Sequence, residues 1–228
     1  MGEGIGTLRA RPLVFVDDLS APRLRDDDHH HLKRVLRVRP GEPITLGDGH
    51  GRFVVARFAP DLEPLGDIET VKAPVRLTIG FTPVKAEKPE AIVQRLTELG
   101  IDEIVPVFTE RSVVSWPSER AARNVERMKK VARESCRQSK RLWFPVIGRP
   151  QSVKDFIGAY PGAVMADPGG GPPSADHQTI VIGPEGGFHP SEVELAPLLA
   201  LPGGILRAAT ATTTAAVLMS AFRSGLVN

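Results

Sequence analysis

The chain of 228 residues is poor in several things, and each shortage narrows what it can be. Its single cysteine, Cys136, cannot form an internal disulfide and has no zinc-type spacing around it. A disulfide scaffold is therefore excluded, and a reducing cytoplasm is the expected compartment. No apolar run is long enough to cross a bilayer, and the opening residues MGEGIGTLRA contain no apolar export segment, so a soluble protein is expected. Neither sign of charge prevails: 29 Lys+Arg face 27 Asp+Glu, so net charge alone predicts no polyanionic partner. Aromatics are scarce (Phe 9, Trp 2, Tyr 1), which argues against recognition mainly by base stacking. The remainder, 41% apolar and 25% charged, is ordinary for a globular chain and excludes disorder.

The texture of the sequence changes near Lys72-Ala73-Pro74. Before it, the runs LVFV, PITL, FVVARF and DIETV are β-rich and separated by turns such as Gly47-Asp48-Gly49. One helix interrupts them, with Asp26 to Asp28 as N-cap candidates and Pro40-Gly41 as its stop. These residues, 1–73, read as a small β-barrel-like domain. Residues 74–228 alternate strands with helices and read as an α/β domain. The expected strands are VRLTIGF, IDEIVPVF, AVMAD, TIVIGP and GGILRA; the expected helices are Pro89 to Leu99, Ser118 to about Arg141, Ser191 to Leu199, and Thr212 to Ser224. GGGPPSAD, from Gly169, reads as a surface loop.

Four features carry possible chemistry. DDDHHH, from Asp26, suggests a metal site at first sight, but contiguous helical residues point around the whole cylinder and cannot converge on one ion, so no metal is expected. Capping by an Asp with solvated histidines is the better reading. On the long helix, Arg120, Arg123, Arg127, Lys130, Arg137 and Arg141 fall on one side of the wheel, opposite Ala121, Val125, Met128, Ala132 and Cys136. Such a stripe is either a solvated face laced with Glu126 and Glu134 or a surface for a phosphate backbone. In VIGPEGGFHPSEVE, from Val181, a strand gives way to a helix through Gly-Pro-Glu-Gly-Gly. The glycine spacing of a dinucleotide fold and the Gly-Lys-Ser/Thr of a P-loop are both missing, and Glu185 would repel a phosphate. The turn is either a plain connection or a place where backbone approaches something flat or cationic. In GGILRAATATTTAAVLMSAF, from Gly203, hydroxyls can cap a helix that begins after Arg207. Arg207 is either an ordinary salt-bridge partner or a stabiliser of developing negative charge near the ligand crevice of an open α/β sheet.

Taken together these residues resemble the RsmE family, SPOUT-class enzymes that methylate N3 of a uridine in small-subunit (16S) ribosomal RNA. The likeness rests on HLKRVLRVRPGEPITLGDGHG from His31, KAEKPEAIVQRLTELGIDEIVPVFTERSVV from Lys85, RQSKRLWFP from Arg137, IGPEGGF from Ile182 and ILRAATA from Ile205. It implies a PUA-like RNA-binding β-barrel domain over 1–73 and a SPOUT domain over 74–228 tied in a deep trefoil knot. It further implies S-adenosyl-L-methionine bent among the knot loops, a homodimer through the knotted domain, and a cytoplasmic partner in 16S rRNA or the small ribosomal subunit. The residues it points to for the cofactor are Met165, Ala166, Ile182, Gly183, Glu185, Gly186, Leu201, Ile205, Leu206, Ala208 and Ala211. Arg207 is the catalytic candidate. His31, Arg34, Arg37, Lys85, Lys88, Arg111 and Arg141 are the candidates for RNA.

The chain also departs from the family pattern. Ala209 and Arg137 stand where the family usually has Glu, Pro202 and Gly204 replace Gly and Arg, and Ala86 and Pro89 replace Gly and Met. Direct in-line transfer needs no Cys, Ser or His nucleophile, only a site that aligns donor and acceptor. Ala209 keeps a second reading open, that of a non-catalytic or weakened RNA-binding or assembly paralogue; another SPOUT chemistry, ribose 2′-O methylation, is the third.

Overall fold

Residues 10–227 are described by a computed structural model; most of the opening MGEGIGTLRA, read above for an export segment, lies outside the described residues. The described chain divides into two compact units. The first comprises the residues up to Pro74 together with Glu134–Phe144, the second Val75–Arg133 and Pro145 onward.

In the first unit, strands β1 (Leu13–Phe15), β2 (Pro43–Gly47), β3 (Arg52–Arg57), β4 (Glu63–Pro64) and β5 (Glu69–Thr70) form one five-stranded sheet in the order β1-β2-β3-β4, with β5 also on β3. β1 is buried on both faces, and its side chains alternate between two cores. Val14 packs with Leu32, Ile44 and Leu46, whereas Leu13 and Phe15 pack with Phe53, Cys136 and Leu142. The β2–β3 turn needs its glycines. Gly49 and Gly51 have φ of 77° and 87°, and a Cβ on them would stand 2.0 Å from Phe144 and 2.2 Å from Trp143.

Helix α1 (Asp26–His30) continues directly as a π-helical turn over His31–Val35. Its N-cap is Arg25 with no side-chain cap, so the expected Asp capping does not occur. Asp28 is buried instead and meets Arg137. The turn closes through Arg37 in the left-handed region, φ 54°, with the Val38 N–H donating to the Leu32 carbonyl at 3.0 Å.

The second unit is built on parallel strands: β6 (Thr78–Phe81), β7 (Glu103–Phe108), β8 (Val146–Ile147), β9 (Gln151–Ser152), β10 (Val164–Gly171), β11 (Thr179–Ile182) and β12 (Leu198–Leu199). Their order is β12-β10-β11-β6-β7-β8, with β9 further along β7. Strands buried on both faces need cover on both faces, and the helices supply it. On one side Ile79, Ile104, Ile180 and Ile182 pack with α2 (Pro89–Glu98), α3 (Ser118–Ser139) and α6 (Ala208–Ser224). On the other side Val105, Val107, Met165 and Val181 pack with Phe156 of α4 (Val153–Ala159) and with Phe188.

Several local expectations are corrected. GGILRA is not a strand: Gly203 to Arg207 is irregular chain ahead of α6. The helix expected over Ser191 to Leu199 is only α5 (Pro190–Val193), capped by His189, and Leu198–Leu199 is strand β12. The glycines that open GGGPPSAD extend β10, because a Cβ on Gly170 would stand 2.3 Å from the Leu199 backbone nitrogen and no other residue permits that approach. The threonine hydroxyls do not cap α6: Thr212 and Thr213 donate back to the carbonyls of Ala208 and Ala209, at 2.7 and 2.9 Å. Helix α3 buries Val125, Met128 and Ala132 as its wheel predicts, but it ends at Ser139, before Arg141.

Candidate active site

The order of the second sheet creates a switch point. From central β6 the chain proceeds outward through β7 and β8, then returns on the opposite side to lay β10, β11 and β12. Open α/β sheets hold ligands beyond the carboxyl ends of their strands near such a reversal. A cavity of about 530 Å³ lies there, in the range that holds a small organic ligand. Its walls are the middle of β10, the end of β11 and the turn that follows it, the residues after β12, and the first turn of α6.

The pocket gathers Ala166, Ile182, Gly183, Glu185, Gly186, Leu201, Ile205, Leu206, Ala208 and Ala211, all cofactor candidates from the sequence. Met165 is not among them: it is fully buried in the packing of β10. Pro184, Gly187, Gly203 and Gly204, from the two glycine-containing segments picked out in the sequence, also line the walls, as do Asp167, Pro168 and Ala200, which sequence reasoning did not single out. Asp167 had a readable signal, an acidic residue at the carboxyl end of a strand; its Oδ1 accepts from the Gly169 N–H at 2.9 Å.

The turn of the wall is held by a hydrogen bond from the Gly187 N–H to the Pro184 carbonyl, 2.8 Å, with Gly187 at φ 68°. Among the described residues the acidic side chains on the lining are Asp167 and Glu185, and no Lys or Arg is part of it. Such a wall disfavours a phosphate-rich ligand and suits one that is neutral or carries positive charge. Apolar Ile182, Leu201 and Leu206 offer contact to a flat ring.

Arg207 is the exposed N-cap of α6, between lining residues Leu206 and Ala208. Among the described residues its guanidinium has no salt-bridge partner, so the ordinary ion-pair reading does not hold. No side chain caps α6, and the positive end of its dipole lies beside the cavity.

The RNA candidates fall in both units. His31, Arg34 and Arg37 stand together on the π-helical turn and its exit, with Arg34 and Arg37 exposed. Arg141 is half-buried in the same unit, its N–H on the Cys136 carbonyl at 3.0 Å. Lys85 and Lys88 are exposed ahead of α2 in the second unit. Arg111 does not stand free: it donates to the Gly186 carbonyl at 2.8 Å. The expected basic stripe is also shorter than its wheel. Arg137 is withdrawn into its pair with Asp28, and Arg127 lies 3.7 Å from Glu90 and hydrogen-bonds Asn124. Among the described residues no cluster of His, Cys, Asp or Glu could hold a metal ion, and no helix is long and apolar enough to cross a membrane.

A parallel, doubly covered sheet with a cation-free pocket at its switch point defines an α/β domain of the kind that binds nucleoside-containing ligands. A family model described as an RNA methyltransferase domain matches residues 71–220, and one described as an RNA methyltransferase PUA domain matches residues 24–60. The chain belongs to this RNA methyltransferase family. The likeness to RsmE read from its motifs agrees with the relatives found. Ribosomal RNA small subunit methyltransferase E of Mycobacterium tuberculosis is 28% identical over 89% of this chain and 88% of its own length. The crystal structure of a probable rRNA-methyltransferase from Porphyromonas gingivalis superposes with a TM-score of 0.79 at 30% identity, covering 95% of this chain and all of that one. The ribosomal RNA small subunit methyltransferase E of Neisseria gonorrhoeae, bound to S-adenosyl methionine, superposes at 0.77 with 26% identity over 92% of this chain and 96% of its own.

Proposed function

We propose that this protein transfers the methyl group of S-adenosylmethionine to N3 of a uridine in 16S ribosomal RNA, in the cytoplasm, as a homodimer whose second unit carries the trefoil knot. The observation that carries the reading is the pocket itself: its glycine-rich, cation-free walls suit a sulfonium-bearing nucleoside and disfavour a polyphosphate. The names of the relatives supply the substrate class. The exposed Ile205 at the pocket rim is apolar surface of the kind a second copy covers.

When bound, S-adenosylmethionine supplies an electrophilic methyl group on a positively charged sulfur. The chain's residues then have separable tasks. Ile182, Leu201 and Ala211 would form an apolar wall for the adenine ring, and Gly183, Gly186 and Gly187, which carry no side chains, would let backbone groups approach it closely. Asp167 and Glu185 would be the groups to accept from its hydroxyls and to balance the positive sulfur. Uracil N3 carries a proton that must leave before or during attack, which places negative charge on the flanking carbonyl oxygens. Arg207 and the uncapped N-terminus of α6 are the positive groups beside that position, and preorganised positive groups lower the barrier most where charge develops. His31, Arg34, Arg37, Lys85, Lys88 and Arg141 hold phosphates, which position the RNA without reading its sequence. The target base leaves its stack to reach the pocket.

The test is incubation of the purified protein and labelled S-adenosylmethionine with small ribosomal subunits lacking the modification, followed by nucleoside mass spectrometry. Label on N3 of uridine is the expected result. Label on a ribose oxygen replaces the reading with 2′-O chemistry. Binding of RNA without cofactor uptake or transfer replaces it with the non-catalytic paralogue that Ala209 raises.

A further inference from the structure

A glycine-rich turn keeps one shape only through what is tied to it, since ordering a backbone costs conformational entropy. Gly186 and Gly187 have nothing within 4 Å of where a Cβ would stand, so neighbouring side chains do not wedge this wall of the pocket. Its ties come from the short turn after β7. Arg111 Nη1 donates to the Gly186 carbonyl at 2.8 Å. The adjacent Glu110 holds the far end of the same loop: its N–H donates to Glu192 Oε1 at 2.9 Å, and its carboxylate accepts from Ser191 Oγ at 3.2 Å and lies 3.1 Å from His189 Nδ1. Glu192 is buried and also accepts from the His189 N–H at 2.8 Å, so this end is firmly fixed. Two consecutive residues, Glu110 and Arg111, thus grip the loop at its base and at its apex.

The apex tie is the vulnerable one. Among the described residues, the Gly187-to-Pro184 bond and the Arg111 contact are the hydrogen bonds that restrain the Gly186 peptide, and that peptide lines the pocket. We infer that Arg111 is a positioning residue that sets the pocket wall for the methyl donor, and that it does not serve as a phosphate ligand for the RNA. The inference rests on the pocket being the S-adenosylmethionine site.

The experiment compares wild type, Arg111→Ala and Arg111→Lys by calorimetric titration with S-adenosylmethionine, by amide hydrogen exchange over residues 183–192, and by RNA-fragment affinity as a function of salt. For Arg111→Ala the cofactor dissociation constant rises about tenfold, as expected for a lost charge-assisted bond. Exchange quickens over the turn and nowhere else, while the melting temperature and the salt slope stay at wild-type values. Arg111→Lys, which keeps one donor, recovers part of the affinity. Cofactor affinity within about twofold of wild type with unaltered exchange overturns the inference, and so does a salt slope reduced by about 0.7–0.9, the loss of one phosphate contact. Wild-type protein that takes up no S-adenosylmethionine overturns the proposed function instead, and the exchange comparison still decides what Arg111 holds.

Discussion

Arg137 Nη2 lies 2.5 Å from Asp28 Oδ1, and the two side chains are only 15% and 6% exposed. Both belong to the first unit, where the end of α3 packs against the β1 face through Cys136 and Leu142. Read from sequence, these residues were a member of a basic stripe and a helix cap; folded, they neutralise one another away from water. Arg137→Ala leaves the buried Asp28 carboxylate without its partner and is expected to lower stability by about 3–5 kcal/mol, whereas Asp28→Ala leaves Arg137 with Glu134 3.7 Å away and is expected to cost less. Urea unfolding followed by Trp143 fluorescence measures this. Pairing Asp28→Leu with Arg137→Met should restore most of the loss, and single variants costing below about 1 kcal/mol would show the pair to be solvated.

Arg207 divides binding from chemistry. It is the exposed N-cap residue between two lining residues and does not itself line the pocket, so Arg207→Ala should lower transfer about 10²–10³-fold while S-adenosylmethionine affinity changes less than about threefold. Equal losses in both would make it structural.

Arg37 combines two opposed effects. Its left-handed backbone, φ 54°, costs a non-glycine residue about 1–2 kcal/mol, whereas its exposed side chain is a phosphate candidate. Arg37→Gly should therefore raise the urea midpoint while weakening RNA binding and flattening its salt dependence by about 0.7–0.9. A variant that is more stable with an unchanged slope removes Arg37 from the RNA surface.

Tyr160 is the chain's one tyrosine, so its ionisation can be followed by tyrosinate absorbance without interference from others. Burial, and then a hydrogen bond to Glu103, push its pKa from 10.0 up to about 12. The folded state holds the proton longer than the unfolded state does, so this contribution to stability is complete below pH 10 and is lost as pH rises towards about 12. The native titration should lie well above that in urea; coincident curves would mean that the phenol is solvated.

Much of the architecture was legible because burial on both faces leaves continuous apolar runs: TIVI is β11, and VRLTIGF contains β6. The pocket was legible through IGPEGGF and ILRAATA, whose small residues are needed where backbone itself forms the wall. What failed was local reading overridden by tertiary contact. Gly169 to Gly171 look like loop residues, yet they extend β10 because Leu199 runs too close for a side chain. Gly203 to Leu206 carry the apolar residues of a strand but form irregular chain that lines the cavity. The π-helical turn at His31 and the Arg111 bond to Gly186 have no sequence signature, because each depends on where distant chain segments meet.

Cys136 is sealed between β1 and Leu142, with its Sγ within 3.5 Å of the Trp143 carbonyl. It is the sole thiol, and its burial shields it from oxidants and thiol reagents in the folded protein, while an excursion that pries the first unit apart bares it. The rate at which a maleimide is consumed is therefore a clock for that opening, and covalent cross-linking between chains can only follow it.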